Sequence, residues 1–110
     1  MVELRHAVRY PIKASVVFTW QGPAGWLRGE GITRDISGWG AYIRTPTCPP
    51  VDVGVEMEIF LPPVEPRGKS MTVATSGRVV RVDHIEHEAP SGFAVLGRGF
   101  GVVYVGSKQN

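Results

Sequence analysis

The clearest strand in the chain reads Val55-Glu-Met-Glu-Ile-Phe-Leu61. Apolar side chains at every second position alternate with Glu56 and Glu58, and this period of two predicts a strand with one face in a core and the other in solvent. A second segment, 14–20, alternates in the same way. Its apolar face would hold Ala14, Val16, Phe18 and Trp20. Both segments therefore favour a β protein whose strands are buried on one face.

The rest of the chain is divided into short segments by 14 glycines and nine prolines, which leave little room for helices. Further strands are predicted at 41–44, at 71–82 with a bulge or bend at Gly77, and at 93–105 as one strand or two. One face of the last segment would hold Phe100, Val102 and Tyr104. Turns are predicted at 21–25, 46–50, 62–68 and 88–92. Strands at this spacing predict a small all-β domain, either an antiparallel barrel or a sandwich.

Length and composition indicate a single soluble domain. A chain of 110 residues, 43% hydrophobic and 20% charged, can bury one small core. No run approaches 18 apolar residues, so no transmembrane helix is predicted, and the N-terminus lacks the apolar segment of a secretory signal. Cys48 is the only cysteine, which excludes an internal disulfide and fits a reducing cytoplasm.

Positive charge is concentrated in the first half of the chain. Residues 1–50 contain six Lys and Arg against three acids, a balance of +3, whereas residues 51–110 contain six against seven, a balance of −1. This excess suits a small dianionic ligand but is too slight for a nucleic-acid groove. The aromatic and basic stripe that a single-strand-binding barrel needs is also missing, so nucleic acid is not predicted as a partner.

Two motifs in that half carry the chemistry of a candidate binding site. Arg5-His-Ala-Val-Arg9 supplies two guanidiniums, and Asp35-Ile-Ser37-Gly-Trp-Gly40 supplies a carboxylate, a hydroxyl and a flexible backbone corner. A guanidinium can bind a phosphate, or the N7 and O6 acceptors of guanine, and can stack on a base. A carboxylate accepts from the N1–H and N2–H₂ edge of guanine. Together the two motifs predict a ligand that is an anionic guanine nucleotide.

The spacing Arg-x-x-x-Arg, followed by Asp-x-Ser-x-x-Gly, resembles that of the PilZ domain family, bacterial receptors for the second messenger cyclic di-GMP. The resemblance runs from Arg5 to about Tyr104. It implies a six-stranded antiparallel β-barrel of the split-barrel type with little or no helix, formed by residues 12–105. A flexible N-terminal arm, residues 1–11, would carry the arginine motif, and residues 106–110 would form a short tail.

The resemblance also implies a cyclic di-GMP site made by Arg5, Arg9, Asp35, Ser37 and Gly40. The arginines would contact phosphates and guanine faces, Asp35 and Ser37 would contact a guanine, and Gly40 would let the backbone turn beneath it. The protein would then be a cytoplasmic receptor whose arm orders on the ligand and signals to a downstream protein partner. No cofactor, membrane insertion or enzymatic activity is predicted. The alternative is a PilZ-fold protein–protein adaptor that binds no nucleotide.

Each candidate residue also has a plainer interpretation. The arginines could belong to a solvated basic N-terminus, and Asp35 and Ser37 could hydrogen-bond the local backbone of a turn. Trp39 could stack on a base, but an aromatic residue at a barrel rim is more often a packing residue. Five other arginines are weaker candidates for phosphate contacts: Arg34, Arg44, Arg78, Arg81 and Arg98.

No metal site or catalytic site is predicted. His84 and His87 lie beside Glu86 and Glu88, but such residues in a polar connection are more often solvated, and no cysteine or third histidine accompanies them at ligand spacing. The chain has no nucleophile with a partner base and no G-x-x-x-x-G-K-[ST] loop. The glycine-rich stretch 97–101 is not followed by a helix pattern. Nothing in the sequence therefore argues for an enzyme.

Overall fold

The β-type segments form six strands in a computed structural model, which describes residues 9–63, 68, 70–84 and 91–97. The strands are β1 (Ser15–Gly22), β2 (Gly25–Ile36), β3 (Gly40–Arg44), β4 (Gly54–Leu61), β5 (Met71–Asp83) and β6 (Gly92–Leu96). Every neighbouring pair is antiparallel, and the order β1-β2-β3-β6-β5-β4 closes because β4 also pairs with β1. The described residues contain no helix. The predicted six-stranded antiparallel barrel is therefore confirmed.

The barrel interior is filled by the side chains that the alternation predicts. On β1, Val16 and Phe18 are at most 1% exposed, and Val55 and Ile59 on β4 are equally buried, while the glutamates between them face solvent. Phe18 meets Phe93 of β6 edge to face, with ring centroids 5.1 Å apart. The core consists of Ala14, Val16, Phe18, Trp20, Ala41, Ile43, Val55, Met57, Ile59, Val73, Val79, Phe93 and Val95.

β2 is a strand that apolar alternation does not predict. Its buried positions are Gly29 and Thr33, while Trp26 and Ile32 are more than half exposed. A Cβ at Gly29 would lie 2.5 Å from the ring of Phe18. The large ring from β1 thus occupies the space that an apolar side chain of β2 would otherwise fill. The usual distribution of apolar and polar residues is reversed on this strand.

The register of β5 is interrupted, but not at Gly77, where the sequence predicts a bulge or bend. Gly77 pairs regularly with Val55, and the register shifts instead between Val79 and Arg81. The glycine has a different purpose, because a Cβ at this position would lie 2.7 Å from the carbonyl oxygen of Leu96. Gly77 therefore permits the close approach of β5 and β6, and the register shift lies nearer the end of β5.

Several predicted segments lie partly or wholly outside the described residues. These are residues 1–8 of the arm, the tail 106–110, and residues 98–105 of the last predicted strand with Phe100, Val102 and Tyr104. The predicted turn at 21–25 contains the β1–β2 hairpin turn, and the one at 46–50 lies in the connection from β3 to β4. No helix long and apolar enough to span a membrane occurs in the described part of the chain.

Candidate functional site

The Asp-x-Ser-x-x-Gly motif forms the turn between β2 and β3. Asp35 lies near the end of β2, and Gly40 begins β3. The Ser37 amide donates to the Gly40 carbonyl oxygen at 2.8 Å, and the Ser37 hydroxyl accepts from the Trp39 amide at 3.1 Å. Ser37 therefore has the local turn role that such residues favour. Its contact with a ligand stays a prediction.

Gly40 is constrained by the neighbouring strand β6. A Cβ at this position would lie 2.1 Å from the carbonyl oxygen of Val95, so no larger residue fits unless a strand moves. Gly38, in the same turn, has nothing within 4 Å of a Cβ. Trp39, between the two glycines, is 56% exposed. More than half of its surface is therefore accessible beside the motif.

A β-bulge brings two charged residues of β2 together. The register shifts between Thr33 and Asp35, so Asp35 pairs with Tyr42 and Arg34 is the extra residue without a partner on β3. Bulges re-aim side chains in this way. Arg34 Nε donates to Asp35 Oδ2 at 2.7 Å, and the Asp35 side chain is only 13% exposed. Asp35 is thus held by an ion pair.

Arg9, the last residue of the arginine motif, reaches this carboxylate from the N-terminal side. Tyr10 exchanges backbone hydrogen bonds with Ile36, at 2.8 and 2.9 Å. This bridge brings Arg9 to the end of β2, where its Nη2 atom donates to Asp35 Oδ1 at 2.8 Å. Arg9 and Tyr10, both in the predicted arm, are therefore attached to the barrel. Arg5 lies outside the described residues.

Tyr42 extends the site along β3. The guanidinium carbon of Arg34 lies 4.1 Å from the centroid of the Tyr42 ring, and that of Arg81 lies 5.6 Å from it, both within cation–π range. The Tyr42 hydroxyl donates to Asp83 Oδ2 at 2.8 Å, and Arg81 Nε donates to Asp83 Oδ1 at 3.3 Å. We call this continuous set the charged row. It consists of Arg9, Asp35, Arg34, Tyr42, Asp83 and Arg81.

The two titrating groups at the centre of the charged row stabilise each other at neutral pH. Burial raises the pKa of the Tyr42 phenol above its ordinary 10.0, and the hydrogen bond to Asp83 acts in the same direction. That hydrogen bond is also the main reason why the pKa of Asp83 lies below its ordinary 3.8, with Arg81 adding to the effect. The phenol therefore remains a protonated donor, and its ring supports the Arg34 guanidinium.

The fold and the motifs agree with a comparison against known protein families. The chain matches the sequence model of the PilZ domain over residues 3–105. It belongs to the PilZ domain family. PilZ domains are binding and adaptor domains, not enzymes, and are generally receptors for cyclic di-GMP. A search of curated proteins gave no significant match to this PilZ domain.

Sequence reasoning finds only part of the charged row of this PilZ domain. Arg34 and Arg81 are among the five weaker arginine candidates, whereas Tyr42 and Asp83 are absent from the predictions. No local pattern could have indicated them, because the row depends on which strands become neighbours. Another of the five, Arg78, donates to the carbonyl oxygen of Asp52 at 2.7 Å. Arg44 is exposed on β3, and Arg98 lies outside the described residues.

Only one of the residues considered for metal binding lies within the described segments. His84 is exposed, while His87, Glu86 and Glu88 lie outside the described residues. In the described segments of this PilZ domain, no three His, Cys, Asp or Glu residues are grouped so that they could hold a metal ion. Cys48 is a free, half-buried thiol whose pKa is raised by burial. A buried thiol of raised pKa is a poor nucleophile.

Proposed function

We propose that this PilZ domain is a receptor for cyclic di-GMP that acts by binding and not by catalysis. The observation that carries the proposal is the 2.8 Å contact between Arg9 Nη2 and Asp35 Oδ1. It joins a residue of the arginine motif to a residue of the second motif, across 26 positions of the sequence. Groups that suit phosphate and guanine thus lie in one place on the barrel surface.

The proposed contacts follow from the chemistry of each group. The Asp35 carboxylate would accept from the N1–H and N2–H₂ donors of a guanine. Arg9 and Arg5 would bind the phosphates or the N7 and O6 acceptors. Ser37 would turn its hydroxyl to the same guanine, since its contact as a donor to the Gly40 carbonyl oxygen is long, at 3.4 Å. Gly40 would keep the backbone close to the ligand.

Ligand binding would change the partner of Arg9. In the structure, the Arg9 guanidinium forms an ion pair with Asp35, and the Arg9 side chain is 55% exposed. A guanine bound to Asp35 would free the Arg9 guanidinium to bind the ligand phosphates. Their negative charge would replace that of Asp35 as the partner of Arg9. We propose that this exchange reorganises the N-terminal segment and presents a new surface to a downstream protein partner. We further propose a cytoplasmic location, where Cys48 would stay reduced.

Calorimetric titration with cyclic di-GMP, beside GTP and cyclic GMP, tests the proposal. Where the bound ligand desolvates the guanidinium, we expect Arg9→Ala, and likewise Arg5→Ala, to lose roughly 2–5 kcal/mol of affinity for cyclic di-GMP, about thirtyfold or more in dissociation constant. Arg28→Ala is the matched control, because Arg28 is an equally exposed arginine of β2 that pairs with Glu30 at 2.8 Å. A wild-type chain that does not bind disproves the receptor function. Unchanged binding in the Arg5 and Arg9 double variant disproves the site.

One observation favours the adaptor function as the alternative. Trp26 and Leu96 are 63% and 52% exposed and line one open groove beside Arg78. Large apolar side chains exposed together often mark contact surfaces for other proteins. A folded domain that gives no heat with cyclic di-GMP, but loses a partner on Trp26→Ala, would support the adaptor function.

A further inference from the structure

Both carboxylate oxygens of Asp35 already have partners. Arg9 occupies Oδ1 at 2.8 Å and Arg34 occupies Oδ2 at 2.7 Å. A guanine presents two adjacent donors, N1–H and N2–H₂, which match the two oxygens of one carboxylate. A bound guanine must therefore displace one arginine or share an oxygen with it. Each oxygen has two lone-pair sites, so sharing is possible where the carboxylate is held at a suitable angle.

The two arginines are anchored to very different extents. Among the described residues, the contact with Asp35 is the only hydrogen bond of the Arg9 side chain, which is 55% exposed. Arg34 is 41% exposed, extends from the bulge of β2, and has its guanidinium 4.1 Å from the centroid of the Tyr42 ring. The ring is itself fixed by the bond from its hydroxyl to Asp83. Arg9 is thus the guanidinium that leaves, and Arg34 is the one that stays.

We infer that Arg34 is a positioning residue that sets the guanine selectivity of the proposed site, and this inference rests on the proposed function. Held over Tyr42, Arg34 fixes Asp35 through Oδ2. Once Arg9 moves to the phosphates, Oδ1 and the second lone pair of Oδ2 face the guanine edge. Without Arg34 the carboxylate rotates freely and meets guanine in fewer productive orientations. Preorganised groups discriminate better because little ordering remains for the ligand to impose.

The test is the ratio of the dissociation constants for cyclic di-AMP and cyclic di-GMP, measured by calorimetry. In Arg34→Ala we expect the affinity for cyclic di-GMP to fall about tenfold, while the weaker binding of cyclic di-AMP changes little, so that the ratio shrinks. Loss of a phosphate contact or of one positive charge would weaken both dinucleotides equally and leave the ratio unchanged. That result overturns the positioning role.

Two further variants separate position from charge. Arg28→Ala removes an exposed arginine from the same strand, and it is expected to leave the ratio unaltered. Arg34→Lys keeps the charge but lacks the planar guanidinium that stacks on Tyr42 and bonds Asp35. We therefore expect its ratio of dissociation constants to be as small as that of Arg34→Ala. A lysine variant with wild-type selectivity overturns the inference.

If the wild-type domain binds neither dinucleotide, the proposed function fails, and the role of Arg34 fails with it. If wild type binds selectively and Arg34→Ala does too, only the role of Arg34 fails.

Discussion

Asp35 and Ser37 belong to one motif, yet they have different partners. Ser37 bonds the backbone of its own turn, whereas both oxygens of Asp35 bond guanidiniums and none bonds the turn. The plainer interpretation of the motif as a polar turn is therefore adequate for Ser37 and inadequate for Asp35. An aspartate with one exchangeable ion pair, the one with Arg9, is suited to accept a ligand in its place.

Base selectivity is the first prediction at this scale. We expect cyclic di-AMP to bind more weakly than cyclic di-GMP, since adenine lacks the N1–H and N2–H₂ donors and would leave Asp35 Oδ1, once Arg9 has moved away, without a donor. That loss costs about 1–3 kcal/mol, roughly five- to 150-fold in affinity. Asp35→Ala is expected to remove most of the difference. Equal calorimetric affinities of the wild-type domain for the two dinucleotides would contradict the role of Asp35.

The bond between Tyr42 and Asp83 predicts how stability depends on pH. Because the pKa of Tyr42 is raised by folding, its contribution is complete below pH 10.0 and is lost as the pH rises through the folded value. Because the pKa of Asp83 is lowered, its contribution is complete above about pH 3.8 and is lost as the pH falls through the folded value. Urea unfolding across pH should therefore show a plateau that falls at both ends.

A tyrosine elsewhere provides the control for this pH dependence. Tyr42→Phe removes the hydroxyl, so we expect both ends of the profile to become flatter while the ring under Arg34 is kept. Tyr10→Phe removes a hydroxyl from a tyrosine that is 54% exposed, and its profile should match that of wild type. If the Tyr42→Phe profile is the same as that of Tyr10→Phe, the bond contributes nothing to stability.

At the scale of the element, the β2–β3 turn has two glycines, of which Gly40 has no space for a side chain and Gly38 has open space. We expect Gly40→Ala to destabilise the domain by about 1–3 kcal/mol, because the new Cβ would meet a backbone carbonyl of β6 that cannot move aside. Gly38→Ala is the matched control, with open space around the new Cβ and an expected change within about 0.5 kcal/mol. Urea midpoints of the two variants give the comparison. Equal midpoints would mean that β3 and β6 separate easily.

The bulge on β2 is the element that makes the site. In regular alternation, Arg34 and Asp35 would point to opposite faces of the sheet, and the aspartate would follow Thr33 into the barrel. The extra residue instead aligns Asp35 with Tyr42, so both oxygens are available to guanidiniums. The same strand has glycine where the Phe18 ring needs space. β2 is thus shaped by its neighbours and not by its own hydrophobic pattern.

At the scale of the whole molecule, the closed barrel is a frame to which the segment that carries Arg9 is attached. The described strands leave no open sheet edge, since each pairs on both sides. The N-terminal segment is joined to this frame by the Tyr10–Ile36 bridge and the Arg9–Asp35 ion pair. A ligand bound at Asp35 would change these contacts, so we expect the structural change on binding to be concentrated in the N-terminal segment.

Hydrogen exchange tests this division. We expect cyclic di-GMP to slow the exchange of amides before Arg9, while amides of β4, between Val55 and Leu61, barely change. The amide of Tyr10 already donates to Ile36 and is expected to be protected without ligand. Ordering costs about 1–2 kcal/mol per residue for the backbone, so the affinity is expected to be moderate. If ligand leaves exchange before Arg9 unchanged, the proposed switch does not operate.

The sequence by itself determined the fold class, the core faces of β1 and β4, and the family, because side-chain alternation and motif spacing are local properties of the chain. The site is only partly local. The motifs assign Arg9 and Asp35 to one site, but the positions of Arg34, Tyr42 and Asp83 depend on the bulge of β2 and on β3 lying between β2 and β6. Such neighbours are chosen by the packing of the whole barrel, where contacts between distant segments override each strand's own pattern. The tertiary structure alone therefore decided which arginines bind the Asp35 carboxylate. It also decided that Gly29 and Gly40 have no space for a side chain.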